Sequence, residues 1–166
     1  AAAALHVAAE TEGFAALIAQ NGWADFVSHA LGPPGIYRDL HPGMLGGNMK
    51  RYEADAGSDF GMGQDLFAAP EVYLRNSPIF MADKMDLPVL LVHTDMDVFP
   101  HSQFDEMYAA LARFGHPVRY VWYAGEGHGL SSPANIRDLW ERMMDFLDLS
   151  LALSPVSREA SRPDGL

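Results

Sequence analysis

Two short apolar runs, Pro88-Val-Leu-Leu-Val-His93 and Val118-Arg-Tyr-Val-Trp-Tyr123, stand on either side of a segment with helical period. No other feature restricts the fold as tightly. Runs of this length, rich in β-branched residues and bounded by turn residues, read as strands, and those of a parallel sheet carry little polar alternation. Between them, Phe104, Met107, Tyr108 and Leu111 share one face of a predicted helix at about 102–114, and Gly115 stops it. Strand, helix, strand at this spacing predicts parallel pairing through a right-handed crossover. A second helix is expected from Pro133 to about Leu149, with Ser132 as N-cap and proline in the first turn. Its predicted buried stripe is Ile136, Leu139, Trp140, Met143, Phe146 and Leu147.

Upstream, residues 1–11 are alanine-rich and read as a closely packing helix, ended by Gly13. Residues 14–20 form an apolar run of strand length. Three strands make a small sheet, and the first is apolar enough to need a neighbour on each side. That predicts further strands from sequence preceding Ala1. Residues 21–86 are punctuated by Gly and Pro around short helices, one of them including Glu71–Leu74, and read as a pocket wall or lid. The organisation is therefore one α/β unit over residues 1–153 and a polar tail over 154–166.

Each strand leads into a chemically loaded loop. Thr94-Asp-Met-Asp97 follows the first, and Gly125-Glu-Gly-His-Gly129 follows the second. In open α/β sheets, reacting groups collect where strands end at their carboxyl side. A carboxylate after one strand and a histidine after the next is the order of the last two members of a Ser…Asp…His set. Spacing alone leaves Asp95 and Asp97 equal candidates for the acid, and the plain alternative for either is a loop-capping role. For His128 the plain alternative is a turn histidine without chemistry. No serine lies in a G-x-S-x-G turn. The nucleophile is therefore expected upstream of this chain, and the chain by itself is expected to be inactive.

His93, Asp95, Asp97 and His101 also raise the question of a metal. Met96 and Phe99-Pro100 mark a turn, so strand alternation does not carry these groups onto one face. No metal and no organic cofactor is expected, and His93 reads as structural. Trp23, Phe26, Tyr37 and Phe99 are candidates for an apolar substrate subsite; the plain reading of each is core.

Composition narrows the partners. The 166 residues are 49% hydrophobic and 20% charged, ordinary for a globular domain, and carry a formal net charge of −11. Phosphate recognition needs a basic stripe, so nucleic acid is not the expected partner. No apolar segment reaches membrane-span length. With no cysteine, disulfides and thiolate catalysis are absent. None of this fixes the compartment.

From about Leu66 to Leu149 the chain resembles the catalytic-domain terminus of the prolyl oligopeptidase family of serine peptidases. Leu66-Phe-Ala-Ala-Pro-Glu-Val-Tyr-Leu-Arg-Asn-Ser-Pro-Ile-Phe80 is similar to the family segment ending in Ser-Pro before the acid-bearing strand. Leu90-Leu-Val-His-Thr-Asp-Met-Asp97 resembles its strand-plus-acid motif, with the acid four residues after the histidine, which favours Asp97 over Asp95. Tyr108-Ala-Ala-Leu-Ala-Arg-Phe-Gly115 resembles the next helix, and Gly125-Glu-Gly-His-Gly129 the histidine loop. The loop Asp97-Val-Phe-Pro100 is one residue shorter than the family pattern.

The resemblance implies part of an α/β-hydrolase fold, mostly parallel and flanked by helices, without its upstream strands and nucleophile elbow. It implies amide hydrolysis in a peptide substrate, with His128 as general base and acid and Asp97 orienting it. A serine and a propeller domain are expected upstream. His128 through Asp138 looks most like the bacterial branch that opens lasso peptides at their isopeptide bond. The competing readings are an esterase or other acyl hydrolase on the same fold, and a non-catalytic α/β interaction module.

Overall fold

The computed structural model describes residues 1–31, 62–64 and 66–153. Tyr37, the glycine- and proline-rich turns between residues 32 and 61, and the tail 154–166 lie outside the described residues.

Helix α1 (Ala2–Glu10) precedes strand β1 (Leu17–Gln20) and the short helix α2 (Phe26–Leu31). After the undescribed stretch come α3 (Pro70–Asn76) and a 3₁₀ segment (Pro78–Lys84). The chain then runs β2 (Val89–Thr94), α4 (Ser102–Arg113), β3 (Val118–Tyr123) and α5 (Pro133–Leu153). The sheet has the order β1-β2-β3 and is parallel throughout, with Ala19 opposite Leu91 and Leu91 opposite Tyr120. This is the small parallel sheet flanked by helices that the strand–helix–strand spacing predicts.

β2 is the middle strand, and all six of its residues are buried. Period-2 alternation divides them between two cores. Val89 and Leu91 join Leu5, Phe104, Met107 and Leu111 under α1 and α4, while Leu90 and Val92 join Tyr123, Leu139 and Phe146 under α5. Full burial of each such side chain contributes about 1.5–3 kcal/mol, so an apolar run with helices on both sides has no other stable place. A third cluster, Phe26, Leu66 and Tyr73, joins α2 to α3.

Several expectations need correction. The first strand spans four residues, not seven, because Phe14 precedes it and stays 53% exposed. Among the described residues it pairs with β2 alone. On α4, Tyr108 turns outward, its ring 6.0 Å from that of Tyr120. On α5, Ile136 and Trp140 are exposed, and the helix buries the narrower set Leu139, Met143, Phe146, Leu147 and Ser150. Among the described residues β3 is the last strand on that side of the sheet.

Candidate active site

The carboxyl ends of three adjacent strands build this site. β2 runs straight into the turn carrying Asp97, and β3 into the loop carrying His128. The strands are paired with Thr94 opposite Tyr123, which brings the two loops side by side. His128 Nδ1 lies 3.1 Å from each carboxylate oxygen of Asp97. The Asp97 side chain is fully buried and that of His128 is 66% exposed. One face of the imidazole is thus held by a fixed carboxylate, while Nε2 is free to meet a reacting group. Phe99 N–H donates to Asp97 Oδ1 at 3.3 Å, tightening the acid turn.

Asp95, the competing acid, points elsewhere. Its Oδ1 accepts hydrogen bonds from the N–H groups of Gly125 and Glu126, at 2.7 and 3.2 Å. It clamps the start of the histidine loop and does not approach the ring.

Three residues that sequence reasoning passed over hold the same loop. Glu126 is buried and its carboxylate accepts from Ser131 N–H at 2.7 Å, Ser131 Oγ–H at 3.0 Å, Ser132 N–H at 3.1 Å and Asn135 Nδ2–H at 2.7 Å. These donors, the Ser131 amide foremost and then the Asn135 side chain, push its carboxyl down to about 2. Asn21, directly after β1, adopts φ 44° and is buried. Its side-chain amide donates to His128 O at 2.8 Å and to Thr94 Oγ1 at 3.1 Å, and its Oδ1 accepts from Thr94 N–H at 3.1 Å. Thr94 Oγ1–H in turn donates to Gly127 O at 2.7 Å. The backbone on both sides of the catalytic candidate is thereby tied to the ends of β1 and β2. An Asn directly after an apolar strand is the one sequence signal here, because Asn tolerates the left-handed region.

A cavity of about 870 Å³ opens beside His128. Trp23, Phe26 and Phe99 line it. Phe99 bridges the site and its wall: its ring centroid is 5.4 Å from that of His128 and 4.6 Å from that of Trp23, edge-on at 83°. Trp23 also meets Phe26, at 5.8 Å. The buried Gln103 on α4 positions this wall, its Oε1 accepting from Ala24 N–H at 3.0 Å and Asp25 N–H at 2.9 Å.

The start of α1 reaches the same cavity through Ala1, Ala2 and Ala3. It rests on Gly22, whose φ is +142° and where an added Cβ would stand 3.1 Å from Ala1 Cβ. Only glycine permits that approach.

His93, Asp95, Asp97 and His101 do not form one cluster. His93 is a buried residue of β2, its ring 5.7 Å from that of Phe104. Desolvation draws its pKa below the ordinary value, opposed by the Asp97 charge. His101 lies at the surface, its Nδ1 2.7 Å from Asp105.

Known proteins resemble this chain in sequence and in fold. The model of the prolyl oligopeptidase family matches residues 48–154. The chain is 32% identical over 76 residues to dipeptidyl peptidase family member 6 of Caenorhabditis elegans, covering 45% of this chain and 10% of that protein. It is 36% identical over 80 residues to a probable glutamyl endopeptidase, chloroplastic, of Arabidopsis thaliana, covering 46% of this chain and 8% of that protein. A crystal structure of puromycin hydrolase superposes with a TM-score of 0.71 at 23% identity, over 92% of this chain and 21% of that one. At that identity the likeness shows a shared fold, the α/β-hydrolase fold in part. The chain thus spans about a tenth of the length of the curated relatives and about a fifth of the solved structure. The family model covers well over half of the 166 residues, and the chain belongs to the prolyl oligopeptidase family.

Proposed function

We propose that the full-length protein is a serine peptidase that hydrolyses amide bonds in peptides, with Asp97 and His128 as two members of its triad. The observation that carries this reading is the hydrogen bond between His128 Nδ1 and the buried Asp97 carboxylate, with the rest of the ring open to a cavity. A carboxylate on Nδ1 fixes the tautomer that leaves Nε2 as a base and supports the imidazolium formed on proton uptake. In the proposed cycle a serine hydroxyl attacks the scissile carbonyl as His128 Nε2 takes its proton. The same proton then passes to the departing amine, and water repeats the sequence to release the acyl group.

The serine is supplied by sequence preceding Ala1. That Ala1 packs on Gly22 and lines the same cavity as His128 supports this, since it sets the start of this chain at that cavity. Trp23, Phe26 and Phe99 form an apolar subsite for a substrate side chain. The relatives named as peptidases support amide over ester hydrolysis. An isopeptide bond is one amide this site can take.

The test uses the full-length protein. A fluorophosphonate probe is expected to label one serine outside these 166 residues, and His128→Ala to abolish both labelling and peptide turnover. Peptide cleavage that survives His128→Ala removes the triad. Ester cleavage without any amide cleavage, across linear and isopeptide substrates, replaces the peptidase with an esterase.

A further inference from the structure

We infer that Arg75 makes the cavity beside His128 selective for peptides that present a carboxylate near the scissile bond. The inference rests on the peptidase reading above and adds the charge of the substrate to it. Arg75 sits in the last turn of α3 and lines the cavity together with His128 and the aromatic wall. A helix-end arginine is common because it complements the helix dipole, and Arg75 is exposed at its helix end. This one borders the cavity in which the reaction is proposed.

Three observations make it a selector. First, the described lining of the cavity contains no aspartate or glutamate, although the chain has 22 acidic residues and a net charge of −11. Among the described lining residues the ionisable side chains are Arg75, His6 and His128. Second, Arg75 makes no ion pair among the described residues: Glu71, one turn earlier on α3, does not close one, and Asn76 turns its amide back to Val72 O at 2.8 Å. Among the described residues no carboxylate engages its guanidinium donors. Third, the same cavity is lined by the apolar side chains of Val72, Phe26 and Trp23. Low-dielectric walls strengthen the attraction of a cation for an incoming anion and steer that anion inward. The planar fork of arginine matches a carboxylate in two parallel hydrogen bonds. That carboxylate can come from an Asp or Glu side chain or from the peptide's own carboxyl terminus.

The experiment compares kcat/KM of the full-length protein on matched peptides. One pair differs only by Glu against Gln at positions flanking the cleaved bond. The other has a free carboxyl terminus against a terminal amide. A preference of about tenfold for the charged member of one pair is expected, the size of a hydrogen bond to a charged group, and the pair that shows it names the source. Arg75→Gln is expected to bring that ratio close to one, and Arg75→Lys to restore part of it. Ratios near one in both pairs with the unaltered protein overturn the inference without recourse to any variant. So does a preference that Arg75→Gln leaves intact. In both cases the peptides are still cleaved and the peptidase reading stands. Cleavage of none of the peptides overturns that reading and this inference with it.

Discussion

Asp95 and Asp97 are two residues apart and do different work. Asp97 meets the imidazole, whereas Asp95 holds the amides of Gly125 and Glu126. Removing the charge from Asp97 leaves the ring without the partner that fixes its tautomer. Asp97→Asn is therefore expected to lower kcat by about 10⁴-fold in the full-length protein. Asp95→Asn keeps the loop's outline and loses only part of one clamp, so a loss of about tenfold is expected, within the range caused by slight misplacement. Equal losses in the two variants would exchange their roles. The difference was half-legible in the sequence. Spacing could not separate the two acids, and the family-like spacing from His93 could. Glu126 was not legible at all, because its partners Ser131, Ser132 and Asn135 become donors to one carboxylate only when the loop closes on itself.

At the scale of the element, the loop from β3 to α5 is fastened from inside by Glu126 and from below by Asn21 and Thr94. Glu126 makes the inner fastening acid-sensitive. Its carboxyl is held at about 2 in the folded chain, below its ordinary value of 4.5. A depressed carboxyl contributes stability that is complete above the ordinary value and is lost as pH falls toward the folded one. Melting temperatures of the full-length protein and Glu126→Gln should therefore differ most near neutral pH and converge between about pH 4.5 and 2; a gap that persists at pH 2 would contradict the charge argument. For the outer fastening, Asn21→Ala both puts a Cβ-bearing residue without local hydrogen bonds at φ 44° and deletes the ties to Thr94 and His128. Chemical unfolding is expected to show a loss of about 2–4 kcal/mol, with Asn21→Gly losing only the part due to the ties. Elements with a strong period were readable: α4, β2 and β3 lie where the residue pattern puts them. Those whose burial depends on what stands opposite were not. Ile136 and Trp140 continue the apolar stripe of α5 in sequence, yet among the described residues nothing covers them.

Across the whole molecule, the strands of the sheet are unequal in their cover. β2 is sealed between α4 and α5, but β1 has a strand on one side alone among the described residues. Beside it Ala3, Val7, Phe14 and Leu17 line an apolar hollow of about 300 Å³, with Phe14 and Val7 53% and 45% exposed. A strand edge next to such a surface invites pairing with another chain. Prepared by itself, the 166-residue polypeptide is expected to self-associate as its concentration rises, and Phe14→Lys to shift it toward monomer in sedimentation velocity. A monomer at every concentration would mean that α1 protects the edge unaided. The sequence anticipated this surface from the apolarity of residues 14–20. It did not anticipate that the strand would shorten and leave Phe14 outside.

The carbonyls of Gly127 and His128, and not the imidazole, carry the ties from Thr94 and Asn21. Deleting the ring at position 128 consequently spares its scaffold: the emptied loop keeps its course and the cavity keeps its walls. If the full-length protein is the proposed peptidase, His128→Ala is expected to hold a peptide substrate intact, and mass spectrometry of what it retains would read out that peptide.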